Sequence, residues 1–309
     1  METQTSSSIL FVKPAALATM ATVAALEDLK VFFASLQVWN AAEPPTVFVY
    51  CDRTVYEWLK QVKYSGVIYK KPFLEPYTAY NRQQMEAQPS RKGLPNLFYD
   101  FTQEKCSLMT WALTETISSD AMHEQVHREE RQGVLFCDAD ITWLGPVPMI
   151  PKTATLALSP HMIRNHDEAK FGIYNAGFLW MNDLDLPGRW EEACKTSRFF
   201  EQAALETLDV YVAKDDPELV YLFGPQHNYG WWRLYQGPLP LEKQKEQWTI
   251  KRDSKQYHSG LCVQGQPLSC VHTHWKTTDF VTAEFNSWIK QRLSLLKSQG
   301  SVKKLLSFL

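Results

Sequence analysis

Asp138 and Asp140 stand one residue apart at the end of an apolar run, in GVLFCDADITWLGPVP from Gly133 to Pro148. Two carboxylates at this spacing suit a hard divalent cation. Mg²⁺ or Mn²⁺ takes oxygen ligands, keeps several waters, and is commonly shared between one or two carboxylates and a diphosphate. The intervening Ala139 has almost no side chain to obstruct the approach. A single acid here would more simply cap the following turn by accepting from nearby backbone N–H groups. The pair points to a site. His272 and His274 flank Thr273 in the strand-like run CVHTHWK, so one of them faces the core or solvent, and a lone His is more often a satisfied polar residue than a ligand.

These acids need an element to hold them. Val134, Leu135, Phe136 and Cys137 form the short continuous apolar run of a strand covered on both faces, with Gly133 and Gly145-Pro146 as punctuation. Asp138 and Asp140 then lie at its C-terminal tip, the edge where open α/β sheets bind ligands. Upstream, the pattern predicts a strand over Ser8–Lys13, a helix from Ala15 to about Asn40, and a strand over Thr46–Tyr50 that runs into Asp52. A helix over Val55–Val62 and a strand from Gly66 follow. This β-α-β-α-β alternation predicts a mostly parallel, Rossmann-like α/β sheet flanked by helices.

From Lys71 to Pro95 the pattern dissolves into an irregular segment containing Tyr77, Tyr80 and Arg82. A helix is expected over Thr102–Ser118, and a polar helix over SSDAMHEQVHREERQ. Strands are expected in TATLALSP and IYNAGFLWMND, a helix over Pro187–Leu208, and a terminal amphipathic helix over Asn286–Leu309. No repeat or linker interrupts the chain. One domain is expected over 1–309: a nucleotide-binding half at about 8–145, a sugar-handling half at about 146–285 and the terminal helix at about 286–309.

With 32 Lys and Arg against 34 Asp and Glu, a formal net charge of -2, and no long basic block, nothing here marks a nucleic-acid partner or an acidic membrane surface. The N-terminus lacks a basic n-region, and no uncharged stretch is long enough to span a bilayer. The six cysteines are dispersed without a CxxC pair, as in proteins with reduced, buried thiols. A cytoplasmic location is expected.

The assembly of motifs resembles the GT-A glycosyltransferases, whose DxD motif binds a metal and the diphosphate of a sugar nucleotide. It looks nearest to nucleotide-diphospho-sugar transferase families that include many retaining enzymes. The resemblance implies Asp140 as the direct metal ligand, Asp138 as a contact to ribose and the metal shell with Ala139 beside it, and Mn²⁺ or Mg²⁺ as cofactor. YNAGFLWMND is similar to the family's NAG/NSG segment, so Asn175, Ala176 and Gly177 would line the donor sugar. CVHTHWK resembles the late segment that closes the metal site, which implies His272 rather than His274 as ligand and places Lys276 near the leaving phosphate. GPQHNYGWWR sits where the family has an Asp-Gln-x-x-x-Asn-like segment, implying Gln226 and Asn228 against the reacting sugar. Pro225 departs from the usual Asp there.

Other candidates carry simpler alternatives. Trp231, Trp232 and Tyr235 form an acceptor-stacking wall or plain core. Asn175–Gly177 lines a sugar or makes a tight turn. Lys105 reaches the nucleotide or is a surface lysine; Asp52 contacts the base or caps a turn. Asp183 is a further candidate for gripping the donor or acting as base. HEQVH, from His123 to His127, satisfies the H-E-x-x-H pattern of zinc proteases, but its charged flanks give an exposed helix without the buried support such a site needs.

The function expected is therefore transfer of a hexose or pentose from a UDP- or GDP-sugar to a glycan or other hydroxyl acceptor. A catalytically silent carbohydrate-binding protein is an alternative that would keep the aromatic wall and dispense with metal. A sugar-nucleotide pyrophosphorylase would need a Gly-rich basic loop after the first strand, and VKPAALATM has the wrong composition.

Overall fold

Seven strands make the central sheet, in the order Val220–Leu222, Leu156–Pro160, Tyr174–Met181, Val134–Cys137, Ala16–Ala21, Thr46–Cys51 and Ile68–Lys71. The computed structural model describes residues 10–121, 132–252, 259–296 and 300–309. HEQVH lies outside the described residues. Four of the six pairings in the sheet are parallel, and only Tyr174–Met181 runs against both its neighbours. The expected α/β class, a mostly parallel sheet flanked by helices, is what forms.

Strand alternation sorts the core into two layers. Ala16, Ala18, Met20, Val134 and Phe136 pack with Leu108, Met109, Ala112 and Leu113 of the helix Leu97–Ala121. Their neighbours Leu17, Ala21, Leu135 and Cys137 face the opposite way, towards Leu29, Phe32, Phe33 and Leu36 of the helix Leu26–Trp39. A third cluster joins Tyr229 and Val271 to Trp275 and to Phe285, Ile289 and Leu293 of the helix Phe280–Ser294.

Several expected elements are corrected. Ala16–Ala21, expected as the start of a helix, is a fully buried strand at the heart of the sheet. ALATMA is rich in helix formers, and burial between two strands overrides that propensity. Of the expected first strand, Phe11 and Val12 are the extended residues among the described ones, paired antiparallel with Ile150–Pro151. The helix expected over Pro187–Leu208 is three pieces, Asp185–Cys194, Phe200–Ala203 and Leu205–Ala213, interrupted over 195–199, just before Phe200 with its left-handed φ of 44°, and again at Ala204. The terminal helix is Phe280–Ser294, with a second over Gly300–Leu306.

The segment from Lys71 to Pro95 is more ordered than expected. Asn81 and Gln84 form a reciprocal capping box at the helix Arg82–Glu86. The Tyr77 hydroxyl donates to Glu104 at 2.6 Å, the Arg91 N–H donates to Asp100 at 2.5 Å, and Arg82 stacks over Phe98. The segment is pinned to the helix Leu97–Ala121.

Candidate active site

The strand Val134–Cys137 delivers Asp138 to the C-terminal edge of the parallel strands. Its N–H still donates to Gly177 O at 2.9 Å, which extends the pairing with Tyr174–Met181 by one residue. The chain then turns, with Ile141 N–H donating to Asp138 O at 3.1 Å, and enters a three-stranded sheet of Tyr229–Gly230, Cys270–His272 and Ile141–Trp143. There His272 lies opposite Ile141, and Thr273 N–H donates to Asp140 O at 3.0 Å. This register brings a histidine from late in the chain onto the two aspartates. His272 Nε2 is 3.1 Å from Asp140 Oδ1 and 3.8 Å from Asp138 Oδ2. Each of the three offers a ligand atom within 4.8 Å of the others.

Two carboxylate oxygens and an imidazole nitrogen are a donor set that fits Mn²⁺ or Mg²⁺. The close approach of these groups leaves no room for a side chain at Gly177. A Cβ on Gly177 would stand 2.4 Å from His272 Cε1 and 2.5 Å from Asp138 Oδ2. Charge in the cluster is balanced by protons. Burial pushes Asp138 above the usual carboxylate range, against the pull of Lys105 and His272. Burial also acts on Asp140, but His272 and His274 hold it well below that range. In return Asp140 and Asp138 lift His272 above its ordinary value although burial opposes its charge. A divalent cation would take over the charge those protons supply.

Around this trio stand residues that fix its geometry. Lys105, on the helix Leu97–Ala121, places its ammonium 3.1 Å from Asp138 Oδ1, 2.7 Å from Glu201 Oε1 and 3.3 Å from Ala176 O. Three acceptors match three N–H donors. Asp140 Oδ2 faces a second imidazole, His274 Nε2 at 3.4 Å, whose Nδ1 is 2.8 Å from Asp28 Oδ2. Asp140 and the Asp28 hydrogen bond raise His274 to about 9. Behind His272, its Nδ1 is 2.8 Å from Asn228 Oδ1, and the Asn228 amide donates to Ser159 Oγ and Asn175 Oδ1, both at 3.0 Å. Asn175 Nδ2 lies 3.2 Å from His161 Nε2, and His161 Nδ1 lies 2.8 Å from Gly172 O.

Several residues singled out from the sequence occupy other positions than expected. Asp183 is a correction. The strand Tyr174–Met181 runs antiparallel to Val134–Cys137, with Met181 opposite Val134, so its end carries Asp183 to the sheet edge away from Asp138. Asn228, expected against the sugar, is fully buried with a left-handed φ of 58° and spends its amide on the contacts above. Asn175 is likewise buried and engaged, and Ala176 is buried with its carbonyl on Lys105. Lys105 is neither a surface lysine nor a group with a spare N–H for a nucleotide. Asp52 is fully buried and caps the helix Arg53–Leu59, accepting from Val55 N–H at 2.9 Å and Val23 N–H at 2.6 Å.

The remaining candidates sit as follows. Ala139 is buried within the core beside the aspartates. Trp232 is buried with its ring edge-on to His272, the centroids 5.2 Å apart. Trp231 and Tyr235 are half-buried against the third cluster, and Tyr235 lines a cavity of about 260 Å³ with Trp288, Glu284 and Arg292. Gln226 is half-buried, with its backbone carbonyl accepting from Ser269 N–H at 2.9 Å. Lys276 is exposed two residues beyond His274.

Sequence reasoning missed Glu201, Asp28, His161 and Ser159. Glu201 sat inside an expected continuous helix, and nothing in the residues signals the break at Phe200. Asp28 lies within the helix expected from Ala15 to about Asn40, where nothing in the residues marks it for the site.

His161 also predicts a pH dependence. Burial lowers it from 6.5 to about 4, so the unfolded chain takes up this proton first as pH falls. Its contribution to stability is present in full above pH 6.5 and is lost as pH falls towards 4, by about 3 kcal/mol. Urea unfolding at pH 7 and pH 4 should show a larger drop in the wild type than in His161→Gln; equal drops would refute the assignment.

Fold and site together define a mixed α/β protein with a carboxylate–carboxylate–imidazole cluster that could hold a metal ion at the C-terminal edge of its parallel strands. No protein-family model matches the sequence, and no curated protein matches it. Among solved structures, similar folds include the apo-form glycosyltransferase GlyE of Streptococcus pneumoniae TIGR4, at 12% identity and a TM-score of 0.49 over 96% of this chain and 63% of that one. A second GlyE structure matches at 13% identity and a TM-score of 0.45, over 94% and 63%. The galactosyltransferase LgtC, in complex with donor and acceptor sugar analogues, matches at 12% identity and a TM-score of 0.47, over 89% of this chain and 95% of that one. The chain thus spans under two thirds of the length of the GlyE structures. No helix among the described residues is long and apolar enough to cross a membrane.

Proposed function

We propose that this chain is a metal-dependent glycosyltransferase that moves a hexose or pentose from a nucleoside diphosphate sugar, with UDP or GDP as nucleotide, to a hydroxyl acceptor. The observation that carries the proposal is the convergence of Asp138, Asp140 and His272 at the edge of the sheet where α/β folds bind ligands. A Mn²⁺ or Mg²⁺ ion held there would supply neutralisation of the charge that develops on a departing diphosphate.

The chain's own residues divide the remaining work. Lys105 occupies Asp138 Oδ1 and so leaves Oδ2, the oxygen nearer His272, for the ion. Gly177 keeps the floor of the site open. Lys276, exposed beyond His274, acts as a point charge for phosphate oxygens. Gln226 is the candidate contact to the donor sugar, and Trp231, Trp232 and Tyr235 offer stacking surface for a sugar acceptor. Retention is the stereochemical course we favour. That preference rests on the resemblance to families that include many retaining enzymes; inversion would need a carboxylate base at the acceptor hydroxyl, for which the chain offers Asp209, Asp215, Asp216 and Asp279 besides Asp183, and product anomer analysis by NMR decides between the two.

A thermal-shift series with nucleoside diphosphates and their sugars, each with Mn²⁺ and with chelator, tests this reading, since a ligand that binds only the folded state raises apparent stability. One nucleotide class should raise Tm by several degrees with Mn²⁺ and by nothing with chelator. No shift with any nucleotide would leave the carbohydrate-binding reading in its place.

A further inference from the structure

We infer that Asn228, Asn175 and His161 form a one-way hydrogen-bond relay that holds His272 in the tautomer needed to bind a cation, so that all three are positioning residues rather than sugar contacts. This rests on the cation site proposed above and extends it inward.

The direction follows from groups that can play only one part. Gly172 O only accepts, so His161 Nδ1, 2.8 Å away, carries a hydrogen and donates to it. Burial keeps this imidazole neutral, which leaves Nε2 as an acceptor for the Asn175 amide. Gly177 N–H only donates, at 2.9 Å, which independently puts Asn175 Oδ1 on that side. Asn175 Oδ1 then accepts from Asn228 Nδ2, and Asn228 presents its own oxygen to His272 Nδ1. His272 must therefore carry a hydrogen on Nδ1 in every state, so that a cation beside Asp138 and Asp140 would displace the proton on Nε2 and find its lone pair there. Two backbone groups, Gly172 C=O and Gly177 N–H, thus dictate the state of a side chain neither of them touches by a hydrogen bond. Metal-ligating histidines are commonly oriented through the nitrogen that does not bind the metal, and here the orienting group is an amide whose polarity is set from behind. The left-handed backbone at Asn228 favours Asn, Asp or Gly at the position.

The test compares substitutions that the backbone at Asn228 accepts. Asn228→Gly removes the acceptor for His272; Asn228→Asp keeps that acceptor while giving up the donations to Asn175 and Ser159. Mn²⁺ dissociation constants, read from the free-ion EPR signal without any nucleotide or acceptor, should rise tenfold or more for Asn228→Gly and stay within about threefold of wild type for Asn228→Asp. Long-range ¹H–¹⁵N correlation of the Zn²⁺-loaded wild type should show the His272 hydrogen on Nδ1. Should Asn228→Gly fail to fold, His161→Phe takes its place. It should weaken Mn²⁺ binding severalfold, and His161→Gln, which restores an acceptor for Asn175, should recover most of the loss. A purely structural role would lower Tm without moving the tautomer. The inference is overturned by an Asn228→Gly, or in its place a His161→Phe, that binds Mn²⁺ as wild type does, or by a His272 hydrogen on Nε2. If the wild type binds neither Mn²⁺ nor Zn²⁺, the proposed cation site falls instead, and the metal-free protein at alkaline pH still decides the relay by which His272 nitrogen bears the hydrogen.

Discussion

Asp140→Asn should abolish Mn²⁺ binding and reduce sugar transfer by about three orders of magnitude, equivalent to about 4 kcal/mol of lost transition-state stabilisation. Asp140 is the most committed member of the trio. Its Oδ1 lies 3.1 Å from His272 Nε2, its Oδ2 3.4 Å from His274 Nε2, and both imidazoles hold it ionised. The amide keeps the shape and removes the charge. Loss of charged hydrogen bonds to the two imidazoles costs about 2 kcal/mol, small against the stability of a domain, so the variant should fold. Calorimetric titration with Mn²⁺ and a transfer assay on the same preparation check both halves. A variant that retains transfer would displace Asp140 from the metal and undo the proposed chemistry; one that binds Mn²⁺ but does not transfer would place the ion elsewhere.

Gly177→Ala should have an effect nearly as large for a different reason. The new methyl would stand 2.4 Å from His272 Cε1, 2.5 Å from Asp138 Oδ2 and 2.9 Å from Asn175 Oδ1, so it must push apart two candidate ligands and the relay residue behind them. Mn²⁺ affinity should fall about a hundredfold, with overpacking destabilising the fold by about 1–3 kcal/mol. Gly188→Ala is the matched control. It lies in the helix Asp185–Cys194 with nothing within 4 Å of the added Cβ, and should leave the ion alone while stabilising the helix by about 0.5–1 kcal/mol. If the two variants bind Mn²⁺ equally, the crowding at Gly177 has no bearing on the site.

What the residues disclosed in advance was the chemistry of short range. The apolar run into Asp138 and Asp140 reports a buried strand ending on acids because strand, tip and carboxylates are consecutive. The pairing of β and α elements from Thr46 to Lys71 was equally legible. His272 was nameable only through resemblance, since its place beside Asp140 depends on the pairing of Cys270–His272 with Ile141–Trp143. Ala16–Ala21 misled because its composition suits a helix and its burial lies in strands far along the chain. Asp183 misled because nothing in IYNAGFLWMND distinguishes an antiparallel strand from a parallel one, and the direction decides which sheet edge the acid reaches. Glu201 and Asn228 were opaque for a common reason: each depends on a left-handed residue, Phe200 before the first and Asn228 itself, that redirects the chain where propensity predicts continuity.

The pairing that carries His272 to Asp140 joins positions roughly 130 residues apart. An ion shared between them would act as a removable cross-link, closing a long loop of chain whose freedom it restricts. The strand that supplies His272 continues into Trp275, which packs with the helix Phe280–Ser294. The cross-link would thus be anchored in the same cluster that holds the C-terminal helices. An ion bound there, as proposed, would also restrain the last third of the molecule, and its departure would loosen both together.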